Sequence, residues 1–387
     1  MPMHAAAIFV VIVLLGGGDA KPPTAAPASV AAPVPAVQPP AELRPFDHVL
    51  VVSVDGLRPD AIDGPEDGPL PAFRRLMRGP HTLQARTDAD LTITLPNHVS
   101  MVTSRPVGGP LGHGWTDNVD PPAIRHGGTL HKRRGTYVAS MFDVAHDRGV
   151  ATAVIATKSK FALFAQSFDD ENGAPDAEGA DDGRCKVDLL VTARTSDDAL
   201  EMALARLRTA KGRSLSLVHF AVPDFVGHAL DWDLRPGSPY RQAVAEVDGA
   251  LLRLLAAIDG DPAIRGRVAI ILTADHGGGV PAKTHTTNAD PLNYLIPFIV
   301  WLGADTEPQE LSALNGDRRA VLPAGQWAPR DLAPPPIRSA EAGNLALQLM
   351  GLPPIPGSVA NATHDLRVLP PGRSGAAVTS PAEGAAR

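Results

Sequence analysis

Cysteine is almost absent from this chain: among its 387 residues there is only Cys185. A single thiol excludes an intrachain disulfide framework and a thiolate zinc site, so any metal centre must be built from oxygen and nitrogen. Aromatic residues make up 4% of the chain, which argues against a binding pocket assembled from stacked rings. A surplus of positive charge is missing too. There are 35 Lys and Arg against 42 Asp and Glu, a formal net charge of -7, so no grip on a nucleic-acid polymer through basic surface is expected. A nucleotide stays open as a small substrate, because metals can supply local positive charge. The chain has no Gly-x-Ser-x-Gly elbow, so His276-Gly277-Gly278-Gly279 is not read as the oxyanion element of an α/β-hydrolase lipase.

Long apolar runs are also lacking, and none reaches the ~20 residues that span a bilayer. Ala5 to Leu15 has the length of a signal-peptide core, followed by small residues from Gly16 to Ala20 that suit cleavage. Residues 1–20 are therefore expected to be an export signal, directing the chain to the periplasm or the cell exterior with no stable membrane span in the mature form. A retained N-terminal anchor is the alternative.

What is present is organised. Residues 21–45 are dense in Pro and Ala and read as an extended tether. Apolar runs of strand length follow at His48–Val54, Val150–Ala156, Leu215–Val222, Val268–Thr273 and Ile296–Leu302. Helical patterns lie between them at Leu70–Met77, Tyr137–Asp147, Ser196–Thr209, Tyr240–Ile258 and Ala340–Leu349. Such alternation predicts an α/β fold, a mostly parallel central sheet with helices on both faces. The acidic, Gly-rich stretch 168–188 reads as a solvated insertion. One catalytic domain is expected over 46–358, with a Pro/Gly-rich tail at 359–387 in which Asn361-Ala362-Thr363 fits a glycosylation acceptor.

Three distant segments carry metal-type ligands: Asp55 after the first strand, Asp224 and His228 in Pro223-Asp224-Phe225-Val226-Gly227-His228, and Asp275-His276 with His285 close behind. Each follows a predicted strand, and open α/β sheets bind ligands beyond the carboxyl ends of their strands. Six O and N ligands divide into two sets of three that leave each metal an open position. Two metals about 4 Å apart can hold the attacking and leaving oxygens of a displacement at phosphorus. A nucleophilic hydroxyl is available from Thr94, with Thr92 a rival on sequence alone.

Val-Asp-Gly closing a strand, Thr94-Leu95-Pro96-Asn97-His98 opening a helix, Pro-Asp-x-x-Gly-His and Asp-His-Gly-Gly together resemble the ordered signature of the alkaline phosphatase superfamily. The similarity is greatest to its type I phosphodiesterase/nucleotide pyrophosphatase branch. That resemblance implies one Zn²⁺ on Asp224, His228 and His285, a second on Asp55, Asp275 and His276, and Thr94 between them as nucleophile. It also implies that Asn118 donates to a phosphate oxygen. A sulfatase is disfavoured, since its nucleophile would come from a Cys or Ser in a Cys/Ser-x-Pro-x-Arg setting. The expected activity is hydrolysis of phosphodiester or nucleotide pyrophosphate bonds in a small phosphate-ester substrate. Two features favour a phosphomonoesterase instead. Leu95 stands where the diesterase branch often has an aromatic residue, and Lys158 and Lys160 resemble a basic pair that holds a dianionic phosphate in related monoesterases. Leu95, Lys158 and Lys160 are thus the expected substrate-binding residues.

Overall fold

The computed structural model describes residues 45–63, 70–121, 128–180, 183–210, 212–323 and 325–369. The expected signal and tether, and the chain beyond 369, lie outside these. Among the described residues no helix is long and apolar enough to cross a membrane.

One eight-stranded sheet organises the chain. Its strands are β1 (His48–Val54), β2 (Pro80–Arg86), β3 (Ala151–Ala156), β4 (Leu189–Thr192), β5 (Ser214–Phe220), β6 (Val268–Thr273), β7 (Leu295–Trp301) and β8 (Gln309–Glu310), in the spatial order β4-β3-β5-β1-β6-β7-β2-β8. Five neighbours from β4 to β6 pair in parallel, and β7 alone runs against both of its partners. The sheet is therefore α/β and mostly parallel. β1, β5 and β6 are buried along their whole length, which accounts for the continuous apolar runs in place of an alternating pattern.

Register decides where the chemistry falls. Val54 pairs with Phe220 and Ser53 with Thr273, so β5, β1 and β6 end level at the centre of the sheet. Asp55, Asp224 and Asp275 leave that edge side by side. β3, beside β5, brings the segment with Lys158 and Lys160 to the same end.

Several boundaries differ from the sequence expectation. The run expected to reach Val222 as strand ends at Phe220, because Pro223 sits in the first turn of a helix, Val222–Leu230, where its missing N–H costs nothing. β2 and β4 have mixed burial and gave no apolar run. The folded chain also continues past 358, since Leu366 and Val368 are core residues. Asn361 is buried. Its amide donates to Gln348 Oε1 and its Oδ1 accepts from the Leu366 N–H, which rules out a glycan there in the folded chain. Part of the acidic stretch is anchored rather than solvated, with Lys186 fully buried against Asp147 and Asp176.

Candidate active site

Asp55, Asp224 and Asp275 are each at most 2% exposed. Within them, Asp55 Oδ1, Asp224 Oδ1 and Asp275 Oδ2 accept no hydrogen bond. A buried polar atom without a partner costs about 1–3 kcal/mol, and more when charged. Three in one place define a site that asks for a cation.

Imidazole nitrogens meet these oxygens. His276 Nε2 lies 3.4 Å from Asp55 Oδ1 and 3.3 Å from Asp275 Oδ2. Asp224 Oδ1 faces His228 Nε2 at 3.3 Å and His285 Nε2 at 3.9 Å. Each of these rings gives its Nδ1–H to a backbone carbonyl: His276 to Gly277, His228 to Lys283 and His285 to Thr92. A carbonyl can only accept, so the proton is on Nδ1 and Nε2 presents a lone pair. Burial lowers the pKa of His276, and of His285 to about 2, keeping both rings neutral. The donor set of three carboxylate oxygens and three imidazole Nε2 atoms fits divalent metals of the zinc type. His276 is central: it groups with Asp55 and Asp275, and also with Asp224 and His285, each set with ligand atoms within 4.8 Å of one another.

The remaining histidines of the region are differently bonded. His98 donates from Nδ1 to the Thr94 carbonyl at 2.7 Å, while its Nε2 meets the Ser53 hydroxyl, so both nitrogens are used and the ring braces the turn. His219 lies within the fully buried strand β5, where a packing role would be the ordinary expectation. The Thr157 N–H approaches its Nδ1, leaving Nε2 to donate to Asp55 Oδ2 at 3.0 Å. It therefore orients the Asp55 carboxylate, and only the register of β5 against Ser53 on β1, two residues before Asp55, could have signalled this.

Thr94 opens the helix Thr94–Thr103, with Ile93 as the N-cap. Its Oγ1 is 3.3 Å from His276 Nε2. Pro96 occupies the third helical position, where no intrahelical N–H bond is lost. Thr92 is committed elsewhere, its hydroxyl donating to the His285 carbonyl and to Asn288. Asn118 Oδ1 accepts from the Leu95 N–H at 3.0 Å and from Lys160 Nζ at 3.2 Å. Its amide NH₂ is thereby the group it can offer to a ligand. Leu95 is fully buried in the core and contributes only that backbone N–H, so its side chain does not line the cavity as expected.

A cavity of about 400 Å³ opens beside Thr94, lined by Thr94, Asn118, Lys158, Lys160, Phe225 and His228 among others. The two lysines reach it although β3 is not extended through them; a single 3-10 turn, Ser159–Phe161, intervenes. They are not equivalent. Lys158 Nζ is 2.6 Å from both Asp55 Oδ2 and Asp224 Oδ2. Burial opposes charge at Asp55, but Lys158 and His219 outweigh it and hold that carboxyl well below its usual range. Asp275, pushed by burial and by the charge of Asp55, is raised well above it.

Trp232 holds the motifs together. A Cβ added at Gly227 would meet its indole at 2.4 Å and one at Gly278 at 2.1 Å, and its Nε1 donates to the Gly56 carbonyl. Gly227 of Pro-Asp-x-x-Gly-His and Gly278, the second glycine of Asp-His-Gly-Gly, are thus required by one ring wedged between them, while Gly277 lies against the Leu292 carbonyl. Gly278→Ala is expected to destabilise the fold by about 1–3 kcal/mol through overpacking, read as a lower denaturant midpoint. An unchanged midpoint would mean that the indole is not held there.

A mostly parallel sheet that gathers carboxylates and imidazoles at its central strand ends is the frame of this site. The chain belongs to the type I phosphodiesterase/nucleotide pyrophosphatase family, whose sequence profile matches residues 49–298. One solved structure shares the fold at low identity, and two others are similar at lower TM-scores. BT1596, a 2-O GAG sulfatase, is 12% identical with a TM-score of 0.51, over 86% of this chain and 76% of that one. An alkaline phosphatase superfamily protein from Vibrio parahaemolyticus is 15% identical with a TM-score of 0.46, over 81% and 68%. Murine ectonucleotide pyrophosphatase/phosphodiesterase 5 is 23% identical with a TM-score of 0.40, over 59% and 57%. No curated protein matches the chain by sequence.

Proposed function

We propose that this chain is a two-metal hydrolase of phosphate esters that works through a covalent phosphothreonine at Thr94. The observation that carries the reading is the coincidence of three partnerless carboxylate oxygens with three imidazole lone pairs beside a threonine hydroxyl at a helix N-terminus. Asp55, Asp275 and His276 would hold one divalent cation, and Asp224, His228 and His285 the other. When bound, such cations stabilise the alkoxide of a nucleophilic hydroxyl and the charge on a leaving oxygen.

The protein's own groups do the rest. Thr94 Oγ1 attacks phosphorus, forming a P–O bond as the first ester oxygen leaves with its electron pair. Water then cleaves the phosphothreonine, so two inversions give net retention at phosphorus. The amide NH₂ of Asn118 donates to a non-bridging oxygen as charge develops, and the positive helix end favours the same anion. Phe225, 53% exposed at the cavity, offers an apolar surface to the organic part of the ester. The family indicates phosphodiesters or nucleotide pyrophosphates as substrates.

A second reading, phosphomonoester hydrolysis, is favoured by Lys160. Its ammonium stands beside Asn118 at the cavity, where the second negative charge of a monoester would meet it. Export to the periplasm or exterior accords with either reading. The test is a panel of p-nitrophenyl phosphate, bis-p-nitrophenyl phosphate, a nucleoside 5′-p-nitrophenyl phosphate and p-nitrophenyl sulfate on metal-replete protein. Preference for the diesters supports the first reading. A monoester preference lost in Lys160→Ala establishes the second, and sulfate as the best substrate contradicts both.

A further inference from the structure

Lys158 borders the cavity, but its ammonium reaches in among the buried carboxylates. Its side chain is 8% exposed and its Nζ is 2.6 Å from one oxygen each of Asp55 and Asp224. Those carboxylates belong to different metal triads. In both, the ammonium takes Oδ2, whereas Oδ1 is the oxygen that faces the imidazoles without a hydrogen bond. Lys158 therefore occupies no ligand position, yet its charge sits between the two sets. Its stem has little freedom to turn away. The Nζ is also 5.2 Å from the Phe225 ring, which closes over it.

From this geometry we infer that Lys158 is the resident counter-ion of the metal site, stabilising the metal-free protein and working against the charge of the metals once they enter. The inference rests on the two-metal reading above. Without a cation, Asp55 and Asp224 are buried carboxylates whose one close ammonium among the described residues is Lys158. Removing one partner of such a group leaves an uncompensated buried charge. With two divalent cations present, the carboxylates are more than neutralised, and the same ammonium becomes a like charge at short range. A group that stabilises the empty state more than the loaded one must, by linkage, weaken metal binding by the same amount. Lys158 thus keeps the site formed before metal arrives and limits how tightly metal is held.

The test compares wild type, Lys158→Met, which keeps most of the length of the side chain without its charge, and Lys158→Arg, which keeps the charge. Each is melted after chelation and after zinc loading, and zinc affinity is measured by calorimetry. In Lys158→Met the chelated protein is expected to melt ~2 °C or more below wild type, while the loaded forms melt close together. Its zinc dissociation constant is expected to fall at least ~10-fold, a linkage of about 1.4 kcal/mol. Lys158→Arg should remain near wild type in the chelated state. A Met variant that folds only with zinc would support the inference equally. Equal losses in both states with unchanged zinc affinity, or weaker zinc binding in the Met variant, would overturn it. If wild type itself takes up no zinc or other divalent metal, the two-metal reading fails, an outcome distinct from either of these.

Discussion

Thr94→Ala is expected to lower turnover of any phosphate ester the protein cleaves by at least ~10³-fold while leaving metal content unchanged. Thr94 Oγ1 is the one hydroxyl of the helix start that faces the ligand cluster, 3.3 Å from His276 Nε2. Thr92, two residues earlier, is consumed by the His285 carbonyl and Asn288. Thr92→Ala should therefore act differently, loosening the His285 loop and weakening metal binding without removing the nucleophile. Rapid-quench labelling with a ³²P substrate separates the two: wild type and Thr92→Ala should acquire acid-stable label, and Thr94→Ala should not. Full activity in Thr94→Ala would remove the covalent route.

The second large effect concerns Asp275. Its Oδ1 accepts from the backbone N–H groups of Gly56 and His276, and its Oδ2 is free of hydrogen bonds. Asp275→Asn preserves shape and both backbone contacts but removes a ligand charge. Loss of one metal per chain and a fall in turnover of about 10³-fold are expected. Stability of the metal-free protein should move the other way. Burial and the neighbouring Asp55 charge raise the Asp275 pKa, so near neutral pH ionising this carboxyl opposes folding. Stability from its protonated form is full below the unfolded pKa and is lost as pH rises through the raised folded value. Asn carries no such cost, so the chelated variant should melt at or above chelated wild type at pH 7. Melting curves with and without chelator read the opposite signs directly. A variant less stable in both states would show that Asp275 is held by packing rather than strained by charge.

Much of this was legible in the sequence because the site is built on strand ends. Asp55, Asp224 and Asp275 each follow a run of apolar residues, and a buried parallel strand leaves that trace even when its partners are unknown. The α/β architecture followed from the same runs. β2 and β4 left no such trace, since their exposed and half-buried positions interrupt the apolar pattern. Side-chain roles set by tertiary pairing were also hidden. His219 looked like a packing residue because its function depends on β5 lying beside β1 in one register. Trp232 carries no motif of its own, and its importance shows only where Gly56, Gly227 and Gly278 converge on it. Lys158 and Lys160 read as a pair two residues apart, but the turn between them sends one ammonium among the carboxylates and the other to Asn118. Leu95 was expected at the substrate because it follows the nucleophile; the helix turns that position into the core.

The central claim is that three carboxylates and three histidines form two metal sites around Thr94. Anomalous diffraction at the zinc edge, from crystals of metal-loaded protein, tests it most directly. Two peaks are expected, one about 2.0–2.2 Å from Asp55 Oδ1, Asp275 Oδ2 and His276 Nε2, the other at the same distances from Asp224 Oδ1, His228 Nε2 and His285 Nε2. No peak in this cluster, or a single peak shared by Asp224, His276 and His285, would contradict it.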